Sequence, residues 1–385
     1  MNILFVLQRY PGFGGIETVT KLLSEEFCKI QGFNVTVFST AQQDNPSQLL
    51  LMPNWELVLA QKDRENQKKQ LDELVEKKKI DVVIYQDSYV PEGYLIEGLR
   101  QKGIKVIVCE HNTPDALLIG YRNAYKEVAT TSLLNCLKKC RRLIRYFQVR
   151  GIAQKHHHRM LEIADKYVLL SDSFKDILKK EYHIDTTDQR LASIGNPVSL
   201  PIGKLQEKEK EALFIGRLTG QKGTDYLVQI WCSFARRHPD WTLTIVGDGE
   251  ERERMENTFK REGIQNVKFE GYCADVLPFY KRASILLLTS VYEGFGMVLL
   301  EAMSQGCVPF AFKSYSSVFD IIEDERSGYL VNAFDVGAFV HAIERFAESP
   351  KAQQAEARRA ALTKASNNTP AAIAKKWIDL IHSII

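Results

Sequence analysis

Two clusters in the second half of this chain carry residue types suited to holding an anionic, phosphorylated ligand. The first runs Leu288-Thr289-Ser290-Val291-Tyr292-Glu293-Gly294-Phe295-Gly296-Met297-Val298-Leu299-Leu300-Glu301-Ala302-Met303. An apolar run passes here through a glycine-containing turn into a helical stretch. The spacing therefore predicts unpaired backbone N–H groups from Gly296 to Val298, at the positive end of a helix. Such an end binds phosphate or another anionic oxygen. Glu293 falls in the turn and Glu301 one turn into the helix. Glu301 could face solvent on an amphipathic helix, but Met297, Val298, Leu299, Leu300, Ala302 and Met303 leave little polar face for it to join. We read it as a ligand residue.

The second cluster is Leu213-Phe214-Ile215-Gly216-Arg217-Leu218-Thr219-Gly220-Gln221-Lys222-Gly223. It places Arg217 just past a strand end and Lys222 just before a helix, among glycines that let backbone and ligand approach closely. Alone, this would be a solvated basic loop. In the same domain as the Glu293 turn, two cations at the carboxyl end of a strand suit a diphosphate.

Elements that could position these clusters follow a regular alternation. Ile3 to Leu7 is a short apolar run, followed by Pro11-Gly12-Phe13-Gly14-Gly15, a helical stretch from Glu17 to Ile30, and a second strand from Phe33 to Ser39. Strand, glycine loop, helix, strand opens a doubly wound parallel sheet. Further apolar runs at Asp81 to Tyr85, Lys105 to Cys109 and Tyr167 to Leu170 continue it. Pro201-Ile202-Gly203 and the charged run Lys204 to Glu211 read as a linker. A second series has strands at Ala212 to Gly216, Thr242 to Gly247, Val267 to Gly271, Ile285 to Thr289, Val308 to Phe312 and Gly328 to Val331. The expected domains are 1–200 and 201–365, with 366–385 forming a helix that packs toward the N-terminal domain.

Length and composition agree with this plan. The chain has 385 residues, long enough for two cores. At 45% hydrophobic and 26% charged it has the balance of a folded globular protein. Its seven cysteines are scattered and odd in number, and no second pair accompanies Cys136 and Cys140 at zinc-finger spacing. Free thiols in a reducing compartment are expected. The start shows no signal-peptide pattern, and no apolar run is long enough to span a membrane, so the expected location is cytoplasmic or peripheral to the inner face of the membrane.

Gly216-Arg217 with Lys222-Gly223, then Val246-Gly247-Asp248-Gly249, Phe269-Glu270-Gly271, and Glu293 and Glu301 as E-x7-E, resemble the family 4 (group 1) retaining glycosyltransferases. The match runs over essentially the whole chain. The resemblance implies an α/β GT-B fold, two doubly wound Rossmann-like domains facing across a cleft, with a nucleotide-sugar donor on the C-terminal domain and the acceptor on the N-terminal one. It implies that Arg217 and Lys222 neutralise the leaving diphosphate, that Glu301 holds the ribose hydroxyls, and that Glu293 and the Gly294, Phe295, Gly296, Met297 and Val298 backbone contact the donor. Gly216, Gly247 and Gly271 would line the same site. In the first domain it picks out Gly14 and Gly15 for close approach to the donor phosphates, and His111 for contact with the donor sugar. Glu110 and Asn112 are weaker candidates.

Implied chemistry is transfer of a hexose-type sugar from a UDP-sugar, or a GDP-sugar, to a saccharide or lipid-linked saccharide in surface polysaccharide or lipopolysaccharide synthesis. Configuration would be retained, with a donor phosphate oxygen taking the acceptor's proton. The sequence contains no D-x-D pair to hold a divalent cation at a diphosphate, so neither metal nor other cofactor is expected. One departure is Lys313-Ser314-Tyr315-Ser316-Ser317-Val318-Phe319-Asp320, where many members carry Gly-Gly and then Pro-Glu. It puts the donor or acceptor preference in question.

From Val128 to Leu161 no residue is acidic, while Lys138, Lys139, Arg141, Arg142, Arg145, Arg150, Lys155 and Arg159 are interleaved with Leu143, Ile144, Tyr146 and Phe147. The net charge of +3 thus conceals a basic stretch suited to an anionic membrane surface, or else a solvated helix. No nucleic-acid module accompanies it. His156-His157-His158 is assigned no metal, because consecutive helical side chains diverge. A dinucleotide-dependent oxidoreductase is disfavoured because Glu17 stands where G-x-G-x-x-G needs its third glycine. A GT-B epimerase, an inverting transferase or an inactive sugar-binding homologue are the remaining alternatives.

Overall fold

The computed structural model of the chain describes residues 1–12, 14–41, 52–86, 91–126 and 133–385, with the side chains of 91, 92, 123–126, 133, 134 and 136 outside the description. Phe13 of the first glycine loop, Val128 to Ser132 at the head of the basic stretch, and the Cys136 thiol therefore lie outside the described residues.

Two compact units make up the chain, one from 1–197 with 370–385 and one from 198–369. The first is built on β1 (Asn2–Arg9), β2 (Asn34–Ala41), β3 (Trp55–Leu59), β4 (Val82–Tyr85), β5 (Lys105–Glu110), β6 (Lys166–Leu169) and β7 (Leu191–Ser193). They pair in parallel in the order β3-β2-β1-β4-β5-β6-β7. Ile3 to Leu7 are buried because helices cover both faces of a parallel sheet, which is why β1 reads as one apolar run. The helix Gly15–Cys28 buries Val19, Leu23 and Phe27 at helical spacing. The helix Pro370–His382 packs on it through a face that includes Ile373, Trp377 and Ile381.

The second unit holds β8 (Glu209–Ile215), β9 (Thr242–Val246), β10 (Val267–Gly271), β11 (Ala283–Leu288), β12 (Val308–Phe312) and β13 (Tyr329–Val331), parallel in the order β10-β9-β8-β11-β12-β13. Its core gathers Trp231, Phe234, Ile245, Leu287, Phe310 and Phe339 between sheet and helices. Both units are thus Rossmann-like, the α/β architecture the sequence led us to expect.

Three details differ from the sequence reading. β3 and β7 lack a long apolar run: β3 is an edge strand without a fully buried residue, and β7 has three residues. The charged run Lys204 to Glu211 is not all linker, since β8 begins at Glu209. Glu211 is buried there, paired with Arg282 at 2.7 Å and bonded by the Thr244 hydroxyl, so its charge is internal to the fold.

Candidate functional site

β8 and β11 are neighbours at the middle of the second sheet, and the chain leaves them toward opposite edges. The loops after them part at the carboxyl edge, which is where doubly wound sheets bind ligands. Both sequence clusters lie on these two loops.

Backbone contacts knit the loops together. Gly216 N–H donates to Val246 O at 3.0 Å, Gly247 N–H to Gly271 O at 2.7 Å, and Leu218 N–H to Asp248 O at 2.9 Å, so the ends of β8, β9 and β10 form one surface. A Cβ on Gly247 would overlap the carbonyl of Gly216. Across the gap, Val291 N–H donates to Gln221 O at 2.8 Å and the Thr289 hydroxyl to Lys222 O at 3.0 Å. Gly223 has φ +64°, and a Cβ there would overlap the Thr289 carbonyl.

That stitching sets the charges. Lys222 Nζ lies 2.6 Å from Glu293 Oε1, and the Ser290 hydroxyl donates to the same oxygen at 2.6 Å. Both charged side chains are largely buried, with 16% and 11% exposure. Arg217 is exposed and, among the described residues, has no ion-pair partner. Lys222 therefore spends one of its three donors on an internal pair and keeps the others, while Arg217 keeps its whole guanidinium for an incoming anion.

The helix Met297–Ser304 begins at Gly296 with φ +89° and no side-chain cap. Its first N–H groups are left for a ligand or water. Phe295 is buried, and the Tyr315 ring brings its hydroxyl against Gly296. Ser314 donates to Ser290 O at 2.7 Å and Ser317 to Gly294 O at 3.0 Å. The segment that departs from the family pattern thus braces the Glu293 turn. A run of hydroxyl residues directly after an apolar strand is the sequence signal for this bracing.

Glu301 has partners the sequence did not disclose. Ser199 donates to Oε1 at 2.5 Å and Tyr280 to Oε2 at 2.8 Å. Burial and the adjacent Glu301 charge push the Tyr280 phenol well above its ordinary range, so it stays a donor. Each carboxylate oxygen keeps a lone pair for a further donor.

In the first unit, the helix Gly15–Cys28 starts at Gly14 without a side-chain cap, but the Glu17 carboxylate folds back against Gly12 and Gly14. A Cβ on either glycine would meet that carboxylate. His111 follows β5, its Nε2 bonded to Gln86 Oε1. Burial lowers its pKa to about 4. Glu110 is wholly buried, accepting from the Tyr167 hydroxyl at 2.9 Å and from Asn112 N–H at 3.3 Å, so it serves the interior. Ligand atoms of Glu110, His156 and His157 lie within 4.8 Å of one another, a grouping that consecutive spacing hid. Both His157 nitrogens are engaged, by Tyr167 Oη at 2.8 Å and Pro114 O at 3.1 Å.

Burial also lowers His157 to about 3. Both imidazoles are neutral in the fold, while in the unfolded chain they charge below about 6.5. The unfolded state then binds more protons, so stability is full above about pH 6.5 and is lost as pH falls toward 4. Replacing His111 by Gln removes on the order of 2–3 kcal/mol of that pH-dependent term. Urea midpoints at pH 7 and 4.5 check it: the wild type must lose more than the variant, and equal losses would refute the assignment.

The helix Leu133–Ile163 carries the basic stretch. Leu137, Leu143, Ile144, Phe147 and Ile152 are exposed on it. Not all its cations are free: Arg150 pairs with Glu181 and Arg159 with Glu97. Among the described residues no helix is long and apolar enough to cross a membrane.

Comparisons with known proteins bear on the family and the fold. The family model "Glycosyltransferase Family 4" matches residues 13–200, and "Glycosyl transferases group 1" matches 199–364. An uncharacterised glycosyltransferase of Haemophilus influenzae is 33% identical over 190 residues, covering 49% of this chain and 53% of its own. The lipopolysaccharide 1,6-galactosyltransferase of Salmonella typhimurium is 30% identical over 204 residues, covering 51% and 56%. The chain spans about half the length of the curated relatives it matches. Among solved structures, a lipopolysaccharide outer core galactosyltransferase superposes with TM-score 0.70 at 20% identity, covering 100% of both chains. The Anabaena protein HepE in complex with UDP-glucose superposes with TM-score 0.75 at 16% identity, again over 100% of both, so the fold is GT-B.

Proposed function

From the premise that this chain belongs to the family 4, group 1 glycosyltransferases, we propose that it moves a hexose-type sugar from a UDP-sugar to a saccharide or lipid-linked saccharide acceptor, with retention of configuration. One observation carries the reading. Arg217, exposed and without an ion-pair partner among the described residues, stands at the end of β8, beside the loop that meets the uncapped helix entered at Gly296. Positive charge and free N–H groups flank the place where a leaving diphosphate would develop negative charge.

The residues then divide the work. Arg217, Lys222 and the Met297 and Val298 N–H groups hold the diphosphate, and Gly216, Gly247 and Gly271 let it approach the backbone. The remaining lone pairs of Glu301 accept from the ribose hydroxyls. Glu293, held by Lys222 and Ser290, accepts from a sugar hydroxyl. An acceptor hydroxyl oxygen bonds the anomeric carbon as the carbon–oxygen bond to the diphosphate breaks. The electron pair leaves with the diphosphate, whose oxygen takes the acceptor proton. His111 is neutral and acts as a hydrogen-bonding group.

UDP is favoured because the similar Anabaena fold was solved with UDP-glucose. The names of the relatives support a setting in surface-polysaccharide or lipopolysaccharide synthesis. Exposed Leu137, Ile144 and Phe147 among the cations of the helix Leu133–Ile163 support peripheral binding to an anionic membrane. No metal is needed in this scheme.

Thermal melts with UDP, GDP and ADP in excess chelator test it. UDP at about 100 times its Kd should stabilise the chain by roughly 2.7 kcal/mol, and Glu301→Ala should remove most of that. No shift with any nucleotide would remove the basis of the proposal.

A further inference from the structure

The second unit has another concave site, at the amino-terminal edge of its sheet where β8, β9 and β11 begin. It is a cavity of about 660 Å³ whose lining includes Lys208, Trp241, Ser284, Ala355 and Arg358. We propose that this cavity binds a small phosphorylated anion, held by Lys208 and Arg358. The site is separate from the loops assigned to the sugar donor and does not depend on that assignment.

Charge bookkeeping carries the argument. Lys208 Nζ donates to the carbonyls of Tyr280 at 2.8 Å and Lys281 at 2.6 Å. Arg358 donates through Nη2 to Ser284 Oγ and Gln354 Oε1, each at 3.3 Å, and its buried Nε has no partner among the described residues. Among the described residues neither cation has a carboxylate at salt-bridge distance. Glu211, on the adjoining strand, is already taken by Arg282 and Thr244. At the rim, Lys210 pairs with Asp240, and Glu207 meets Lys351 at 3.9 Å with both side chains almost fully exposed.

Two cations partly removed from water, with Glu207 acting on Arg358 only from a distance and, among the described residues, no carboxylate at salt-bridge distance, gain from an anion that joins them. The strain shows in both groups. Burial, with the nearby Arg358 adding to it, lowers Lys208 to about 8, and burial lowers Arg358 as well. A phosphate group offers the oxygens that a guanidinium fork and an ammonium bind together. The volume lies in the range of small-molecule pockets and exceeds what inorganic phosphate fills, which leaves room for an organic part on the ligand.

Tyr280 has a hydrogen bond to each site. Lys208 grips the carbonyl of Tyr280, whose hydroxyl donates to Glu301.

The test is a titration of inorganic phosphate and inorganic pyrophosphate against the full chain, read as melting temperature, for the wild type, Arg358→Met, Lys208→Met and Arg217→Ala. We expect a saturable rise in the wild type and in Arg217→Ala, with apparent affinity at least about tenfold weaker in the other two. Without ligand, Arg358→Met should melt no lower than the wild type, since an apolar chain replaces an uncompensated cation. Either pocket variant suffices if the other does not fold. No rise in the wild type, a rise unchanged in both pocket variants, or one abolished by Arg217→Ala would overturn the proposal, the last by moving the ion to the β8 loop.

Discussion

Arg217→Ala should lower kcat/KM for a UDP-sugar about 10²- to 10³-fold while leaving stability unchanged. The kinetic part follows from the proposed role of Arg217, whose loss would remove one charge from the leaving diphosphate, worth roughly 3–4 kcal/mol in comparable oxyanion sites. The stability part follows from an exposed side chain without an ion pair among the described residues, whose replacement falls within about 0.5 kcal/mol. Arg217→Lys keeps the charge but loses the fork and should recover only part of the rate. Steady-state kinetics beside urea denaturation separate the two terms. A variant with wild-type kcat/KM would take Arg217 out of the site. Lys222 offers no such clean experiment, because removing it leaves the largely buried Glu293 unpaired.

Gly223→Ala should have the largest effect on the fold. Its φ of +64° is strained for any residue with a Cβ, and that Cβ would overlap the backbone oxygen of Thr289, which has no side-chain freedom with which to yield. Strain and overpacking together cost about 2–5 kcal/mol. Relief requires the two loops to part, which breaks the Val291 to Gln221 and Thr289 to Lys222 bonds and displaces Lys222 from Glu293. UDP binding should weaken together with stability. Gly220→Ala, three residues earlier, has open space around the added carbon and serves as the control, with a change within about 1 kcal/mol. Equal midpoints for the two variants would refute the close-packing argument.

Legibility of the fold tracked how local each signal was. β1, β4, β5 and most of the second sheet could be read because strands buried on both faces appear as unbroken apolar runs. β3 and β7 could not, since one is a partly exposed edge and the other is held in three residues by its neighbour. The charged start of β8 looked like linker because the partner of Glu211, Arg282, lies 71 positions away.

The same division runs through the candidate site. Sequence by itself determined the alternation that makes two parallel sheets, and the placing of glycines and charges just after apolar runs, because both depend on neighbours a few positions apart. Only the tertiary structure decided which groups meet: Lys222 with Glu293, Glu301 with Ser199 and Tyr280, Arg217 with no ion-pair partner among the described residues, and Lys208 and Arg358 lining one cavity that no motif marks. Those pairings depend on strand order and on backbones close enough to exclude a Cβ, and an ion pair between residues 71 apart leaves no periodicity in the chain.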